Sequence, residues 1–220
     1  MNIFSFLRRR KPIPEPWAKY YTKEELNIKI PDISMYDQVK KSAYLYPENI
    51  AYEYMGKKCL YKDFINNINN WAKVFSKSGI KHGDIVSISL PNIPNVLVVL
   101  YALNKIGAIA NMVHPLSSEE EILFSLNSTN SKYLVMLNTF YEKVENIIDK
   151  SSVDAVIFAS ASDYMPFMLK TFYNISQLGK FKKYPKKSMF YSWKSFYKKY
   201  YTDEHIKFSK YGRDTPAVII

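Results

Sequence analysis

Apolar and polar positions along this chain switch repeatedly between two rhythms, one of period two and one near 3.6 residues. Residues 50–55 and 58–61 alternate and flank Gly56-Lys57, which predicts a hairpin. From 62 to 78 the residues Phe64, Ile68, Trp71, Ala72 and Phe75 share one helical face, and Gly79 supplies a stop. Val86, Ile88 and Leu90 mark a strand over 85–90. Asn92 is placed to cap a helix with Pro94 in its first turn, running over 96–105 and ending at Gly107. That helix is apolar nearly all round, so it is expected to be buried. A strand over 108–113 leads to Ser117-Ser118-Glu119-Glu120, a capping-box spacing, and a helix to about Asn127. A strand over 133–137, a helix from Thr139 (Phe140, Val144, Ile147, Ile148) and a strand over 153–159 complete the series.

Strands separated by helices need crossover connections, so the expected class is α/β, a largely parallel sheet covered by helices. Beyond Ser160 the pattern loosens. Residues 164–177 read as a short helix, 179–211 as a basic aromatic connector, and 217–220 as the start of an apolar strand. A chain ending on half a strand, with backbone groups unpaired, is expected to be a truncated domain.

The net charge of +11 sharpens this layout. Lys180, Lys182, Lys183, Lys186, Lys187, Lys194, Lys198 and Lys199 lie in a stretch without acids, and Arg8 to Lys11 form a second cluster. Such patches attract nucleic acid, anionic lipid or phosphorylated ligands, or form solvated faces. Eight like charges resist unpaired burial, so residues 180–200 are expected at the surface, irregular and outside the sheet. Tyr and Trp interleaved with these lysines could stack on single-stranded nucleic acid, but no RNP or KH signature accompanies them.

Composition adds limits. A hydrophobic content of 47% with 23% charged residues fits a globular protein. The single cysteine, Cys59, precludes an internal disulfide and reads as a small packed residue rather than a nucleophile. Apolar residues 3–7 precede the basic cluster, the reverse of a signal peptide, and no run approaches the roughly 20 residues of a spanning helix. A reducing, cytoplasmic location is expected, with peripheral membrane contact as an option. His82, His114 and His205 show no metal-ligand spacing, and Ser117 to Glu121 reads as a helix start rather than a cation site. The glycines at 56, 79, 83, 107, 179 and 212 form no phosphate loop.

One set of segments goes further. Met35-Tyr36-Asp37, Tyr46-Pro47-Glu48-Asn49-Ile50-Ala51, Leu60-Tyr61-Lys62-Asp63-Phe64, the GIKHGDIVSISLPN stretch over 79–92, and KIGAIANMVHPLS over 105–117 occur in that order. Asp214 and Ala217 follow near the end. Together they resemble the front of the adenylate-forming (AMP-binding) acyl-CoA synthetases, most of all the long-chain fatty acid–CoA ligases. Pro16 to Tyr21 and the basic connector carry the closer likeness. Two departures stand out: Leu60 replaces the usual hydroxyl residue and loses a helix cap, and His114 stands where the family more often has Asn.

The resemblance implies ligation of a fatty acid to coenzyme A through an acyl-adenylate, with ATP, Mg2+ and CoA serving the full-length enzyme. It implies that residues 31–220 are the front of the adenylation domain, cut off before the phosphate loop, with residues 1–30 a basic, aromatic arm. On this basis no catalytic, cofactor-binding or metal-ligating residue is assigned within the chain, and none of those cofactors is expected on this fragment. His114 is the candidate for the edge of the acyl or CoA path, with a plain turn residue as the alternative. A non-catalytic module binding anionic membrane or nucleic acid is the competing reading.

Overall fold

The computed structural model describes residues 15–176 and 187–220. The chain divides into two units, Met1–Pro31 and Asp32–Ile220. In the first, a single 3-10 turn (Ala18–Tyr20) precedes α1 (Lys23–Leu26), where Thr22 and Glu25 form a reciprocal capping box.

The second unit is a parallel α/β sandwich with a small hairpin. Ser34 caps α2 (Met35–Leu45), so Tyr36 and Asp37 sit in its first turn. The hairpin pairs β1 (Ile50–Tyr54) with β2 (Lys57–Leu60). Its turn falls one residue earlier than the sequence predicts: Met55 and Gly56 both take positive φ, 51° and 79°, the signature of a two-residue hairpin turn. Helix α3 (Tyr61–Lys77) starts at Leu60 with no side-chain cap, as the missing hydroxyl requires, and buries Phe64, Ile68, Trp71 and Phe75.

Six parallel strands form the main sheet: β3 (Ile85–Ser89), β4 (Ile109–Met112), β5 (Tyr133–Leu137), β6 (Ala155–Ala159), β7 (Phe190–Ser192) and β8 (Val218–Ile219). Their order is β7-β6-β5-β3-β4-β8. The crossovers are α4 (Pro94–Ile106), α5 (Glu119–Ser128), α6 (Tyr141–Ile147), α7 (Phe167–Ser176) and α8 (Trp193–Tyr200). Both faces of the sheet are covered, so its inner strands are apolar throughout, with Val86, Ile88, Leu134, Val135, Val156 and Ile157 fully buried. Gly107 ends α4 in the left-handed conformation, φ 80°. Ser118 and Glu121 form the capping box that opens α5. Asn92 does not cap α4: Ile93 occupies that position without a side-chain bond, and Pro94 at the first helical position removes one of the donors a cap would serve.

The basic connector is where the structure departs most from expectation. Residues 180–186 lie outside the described residues, but Phe190–Ser192 form a sheet strand, pairing with Val156, Ile157 and Phe158. Helix α8 then buries Trp193 and Phe196 while Lys194, Lys198 and Lys199 stay exposed. The lysines avoid burial as electrostatics demands, yet the backbone is regular, because charge and aromatic residues separate onto opposite faces of one helix. Trp71 and Trp193 stack with ring centroids 3.7 Å apart, and Phe196 packs against Trp71, Phe75 and Tyr133. Aromatic pairs of this kind contribute about 0.5–1.5 kcal/mol each beyond their buried area.

Candidate functional site

In a parallel sheet the loops leaving the carboxyl ends of the strands converge on one edge, and ligands bind there. In this chain those loops enclose a cleft of about 490 Å³. Leu90, Pro91 and Asn92 follow β3, His114, Pro115 and Leu116 follow β4, and Leu137 and Phe140 end and follow β5. The lining is mostly apolar, with one imidazole and one carboxamide set among hydrocarbon, the composition of a site for an organic ligand.

His114 is exposed and held by its own turn. Its Nδ1 accepts from the Leu116 amide at 3.2 Å, and its carbonyl accepts from the Ser117 amide at 3.0 Å. That bond places the ring proton on Nε2. The other two histidines do not join it. His82 Nδ1 donates to the Gly107 carbonyl, 2.9 Å away, and its ring stacks on Tyr211, while His205 is exposed in the segment preceding Tyr211. Cys59 is partly buried within β2, and burial raises its thiol pKa, which disfavours the nucleophilic thiolate. Glu119, Glu120 and Glu121 all lie in the first turn of α5, with Glu121 committed to the Ser118 amide.

Beside the cleft, at the end of β6, is a cluster that sequence inspection did not single out. Asp163 accepts from the Ser160 amide at 2.8 Å and from Asn95 Nδ2 at 3.1 Å. Burial raises its carboxyl pKa, and the two donors oppose that rise. Asn95 is 1% exposed, and among the described residues its Oδ1 has no hydrogen-bond partner. Ser89 Oγ and Asn138 Oδ1 are likewise buried without partners. All three orphaned atoms lie around the carboxyl edge: Ser89 ends β3, Asn95 opens α4, and Asn138 follows β5. Buried polar atoms are rarely left unpaired, and these three fall at the same end of the sheet as the cleft. The only sequence signal was the polar residue type at each carboxyl-edge position.

A second polar network is fully satisfied. Asn111, 3% exposed in the middle of β4, donates to Ser87 Oγ and Ser125 Oγ, and Ser87, Ser131 and Thr129 continue the chain at 2.7 Å each. It ties α5 to the sheet through largely buried bonds. Among the described residues no group of three or more His, Cys, Asp or Glu side chains comes together. With the glycines scattered as well, these residues do not fit a Mg2+–ATP cradle, and no step through one is derived from them. The aromatic residues of α8 are likewise spent in the core, with Phe196 fully buried, so Trp193 and Phe196 are not available to stack on bases.

The comparisons bear directly on this arrangement. The profile of a family described as AMP-binding enzyme matches residues 39–193. The chain belongs to the AMP-binding enzyme family. Among relatives of this family, the long-chain-fatty-acid–CoA ligase of Bacillus subtilis (strain 168) is 26% identical over 164 residues, covering 74% of this chain and 29% of that protein. The 4-coumarate:CoA ligase 1 of Petunia hybrida is 26% identical over 145 residues, covering 61% of this chain and 26% of its own length. The crystal structure of coronafacic acid ligase from Pectobacterium brasiliense superposes with a TM-score of 0.63 at 17% identity, covering 80% of this chain and 31% of that one. The chain therefore spans less than a third of the length of these family members. Among the described residues no helix is long and apolar enough to cross a membrane.

Proposed function

We propose that this chain is the leading part of an AMP-forming fatty acid–CoA ligase, with residues 31–220 the front of its adenylation domain, residues 1–30 an arm and residues 179–211 a basic connector. In the reaction a fatty-acid carboxylate oxygen attacks the α-phosphorus of ATP and pyrophosphate leaves. The thiol of coenzyme A then attacks the acyl carbon, gives up its proton, and AMP leaves. The observation that carries the reading is the apolar cleft at the carboxyl ends of β3, β4 and β5, in a chain of the AMP-binding family. Its Leu90, Leu116, Leu137 and Phe140 side chains suit a hydrocarbon ligand, and His114 stands at its rim. Groups that grip ATP and Mg2+ are assigned to residues outside this chain, since its glycines form no phosphate loop and its described residues gather no metal-binding carboxylate group.

Pyrophosphate exchange tests the reading. A ligase of full family length carrying this sequence is expected to exchange with fatty acids, while the 220-residue chain alone exchanges at least ~100-fold more slowly, the scale set by loss of even one preorganised oxyanion donor. No exchange by the long form with any fatty acid sinks the reading, and equal exchange by both forms sinks the assignment of the missing groups. In the same long form His114→Ala is expected to lower the specificity constant for fatty acid or CoA. Unchanged constants for both leave His114 a turn residue.

The partner surface follows from α7. Phe167, Met168, Leu169, Phe172 and Ile175 are all exposed, and the chain continues into Lys180, Lys182, Lys183, Lys186 and Lys187. An exposed apolar helix followed in sequence by lysines suits peripheral contact with an anionic membrane, where fatty acids are supplied.

A further inference from the structure

At the opposite end of the sheet, where the strands begin, a second pocket of about 250 Å³ lies between the start of α2, the end of α4 and the segment leading to Tyr211. Helix α4 has 13 residues and runs from the carboxyl-edge cleft to this pocket, so the two sites are roughly 20 Å apart. Four lysines (Lys40, Lys105, Lys207 and Lys210) and His205 line the pocket against a single carboxylate, Asp37. Asp37 is partly engaged, its Oδ2 accepting from Ser34 Oγ at 2.9 Å.

Lys105 is the unusual member. Its amine lies 4.8 Å from the ring centre of Tyr36 and 5.1 Å from that of Phe208, so two aromatic faces displace its water. It donates to Asn69 Oδ1 at 2.6 Å, an acceptor that the Tyr36 hydroxyl also uses at 2.7 Å. Among the described residues no carboxylate lies within ion-pair distance of it. Burial first, and then the like charges of Lys40 and Lys73, bring its pKa down to about 8, with Asp37 acting weakly the other way. A partly desolvated cation among cations, with one shared neutral acceptor, is an electrostatic cost that a second anion would remove.

We propose that this pocket binds a phosphate-type oxyanion, held by Lys105 at its floor and by Lys40 and Lys210 at its rim. Phosphate oxygens supply charged acceptors for the three ammonium groups, and charge-assisted bonds of this kind are the strong ones. Tyr36, Phe208 and Tyr211 also line the pocket. The site does not rest on the ligase reading, because it stands at the other end of the sheet and uses none of the cleft residues.

The test is NMR of the lysine side chains of the 220-residue chain, titrated with inorganic phosphate, pyrophosphate or AMP against chloride at matched ionic strength. Saturable shifts are expected at Lys105, and the pH titration of its amine should move upward when the site is filled. Tighter binding of AMP identifies a nucleotide-like ligand, tighter binding of pyrophosphate a bare polyphosphate, and equal binding of all three a simple phosphoryl group. Lys40→Gln and Lys210→Gln, both at exposed positions that leave the core intact, should each weaken binding by roughly 5-fold. Lys105→Gln should abolish it. The proposal is overturned if no probe gives saturable shifts beyond chloride, or if both rim variants bind as tightly as the parent.

Discussion

Tyr211 lies flat across the open face of Gly107, so close that a β-carbon on the glycine would overlap the phenol ring. His82 stacks on the same ring at 4.9 Å, while its Nδ1 donates to the Gly107 carbonyl. Gly107 is therefore required twice, by its left-handed backbone and by the ring above it.

Gly107→Ala should lose roughly 2–4 kcal/mol, combining the left-handed penalty with overpacking. Urea unfolding of the variant measures it. In a Tyr211→Ala background the same substitution should cost about half as much, because only the backbone penalty remains. A loss below ~0.5 kcal/mol in the parent background, the level of ordinary surface changes, contradicts the close packing.

Phe196 is fully buried among Trp71, Phe75 and Tyr133. Phe196→Ala is expected to destabilise the fold by about 3–5 kcal/mol. Lys194→Ala, on the exposed face of the same helix, should stay within ~0.5 kcal/mol. Equal effects from the two in chemical denaturation would mean that α8 is not docked as described.

Lys105 gives a pH dependence of definite sign. Its folded pKa, about 8, lies below the ordinary 10.5, so its neutral form is favoured by folding. Its contribution to stability is present above the unfolded pKa and is lost as pH falls through 8. Lys105→Met should therefore gain stability relative to the parent between pH 10.5 and pH 7. Thermal melts of both proteins across that range check it, and a constant gap between them rules the shift out.

Membrane contact through α7 predicts that the chain co-sediments with anionic vesicles, less with neutral ones, and that Phe167→Ser with Phe172→Ser reduces binding by at least about 10-fold, on the scale of ~1.5–3 kcal/mol for each buried aromatic side chain. Equal binding to neutral vesicles, or none to either, refutes it.

Much of the fold is legible in the sequence because its strands and helices bury continuous apolar faces. Phe64, Ile68, Trp71 and Phe75 reveal α3, and Val86, Ile88 and Leu90 reveal β3, without reference to partners. Helix α8 carries the same kind of signal, Trp193, Phe196, Tyr197 and Tyr200 at helical spacing. There the lysine run dominated the reading, and charge density says only which face is wet, not whether the backbone is regular. The carboxyl-edge cluster was hidden for a different reason. Asp163 and Asn95 are 68 residues apart, and no local pattern signals that β6 and α4 bring them together. Likewise Ser87, Asn111 and Ser131 look like ordinary polar positions until the sheet stacks them.

The central place of β3 has a consequence for how the chain assembles. Its two neighbours, β4 and β5, both follow within residues 109–137, so a three-stranded seed closes from one short stretch of sequence. One edge strand joins at far greater distance: β8 pairs with β4 across 108 residues, Ala110 to Val218. Closing so long a loop makes β8 the slowest of these strands to arrive. On a ribosome, the seed can form before the last strand is made, and the exposed edge of β4 then waits for it. Substitutions in β3 should slow folding, whereas those in β8 should chiefly hasten unfolding.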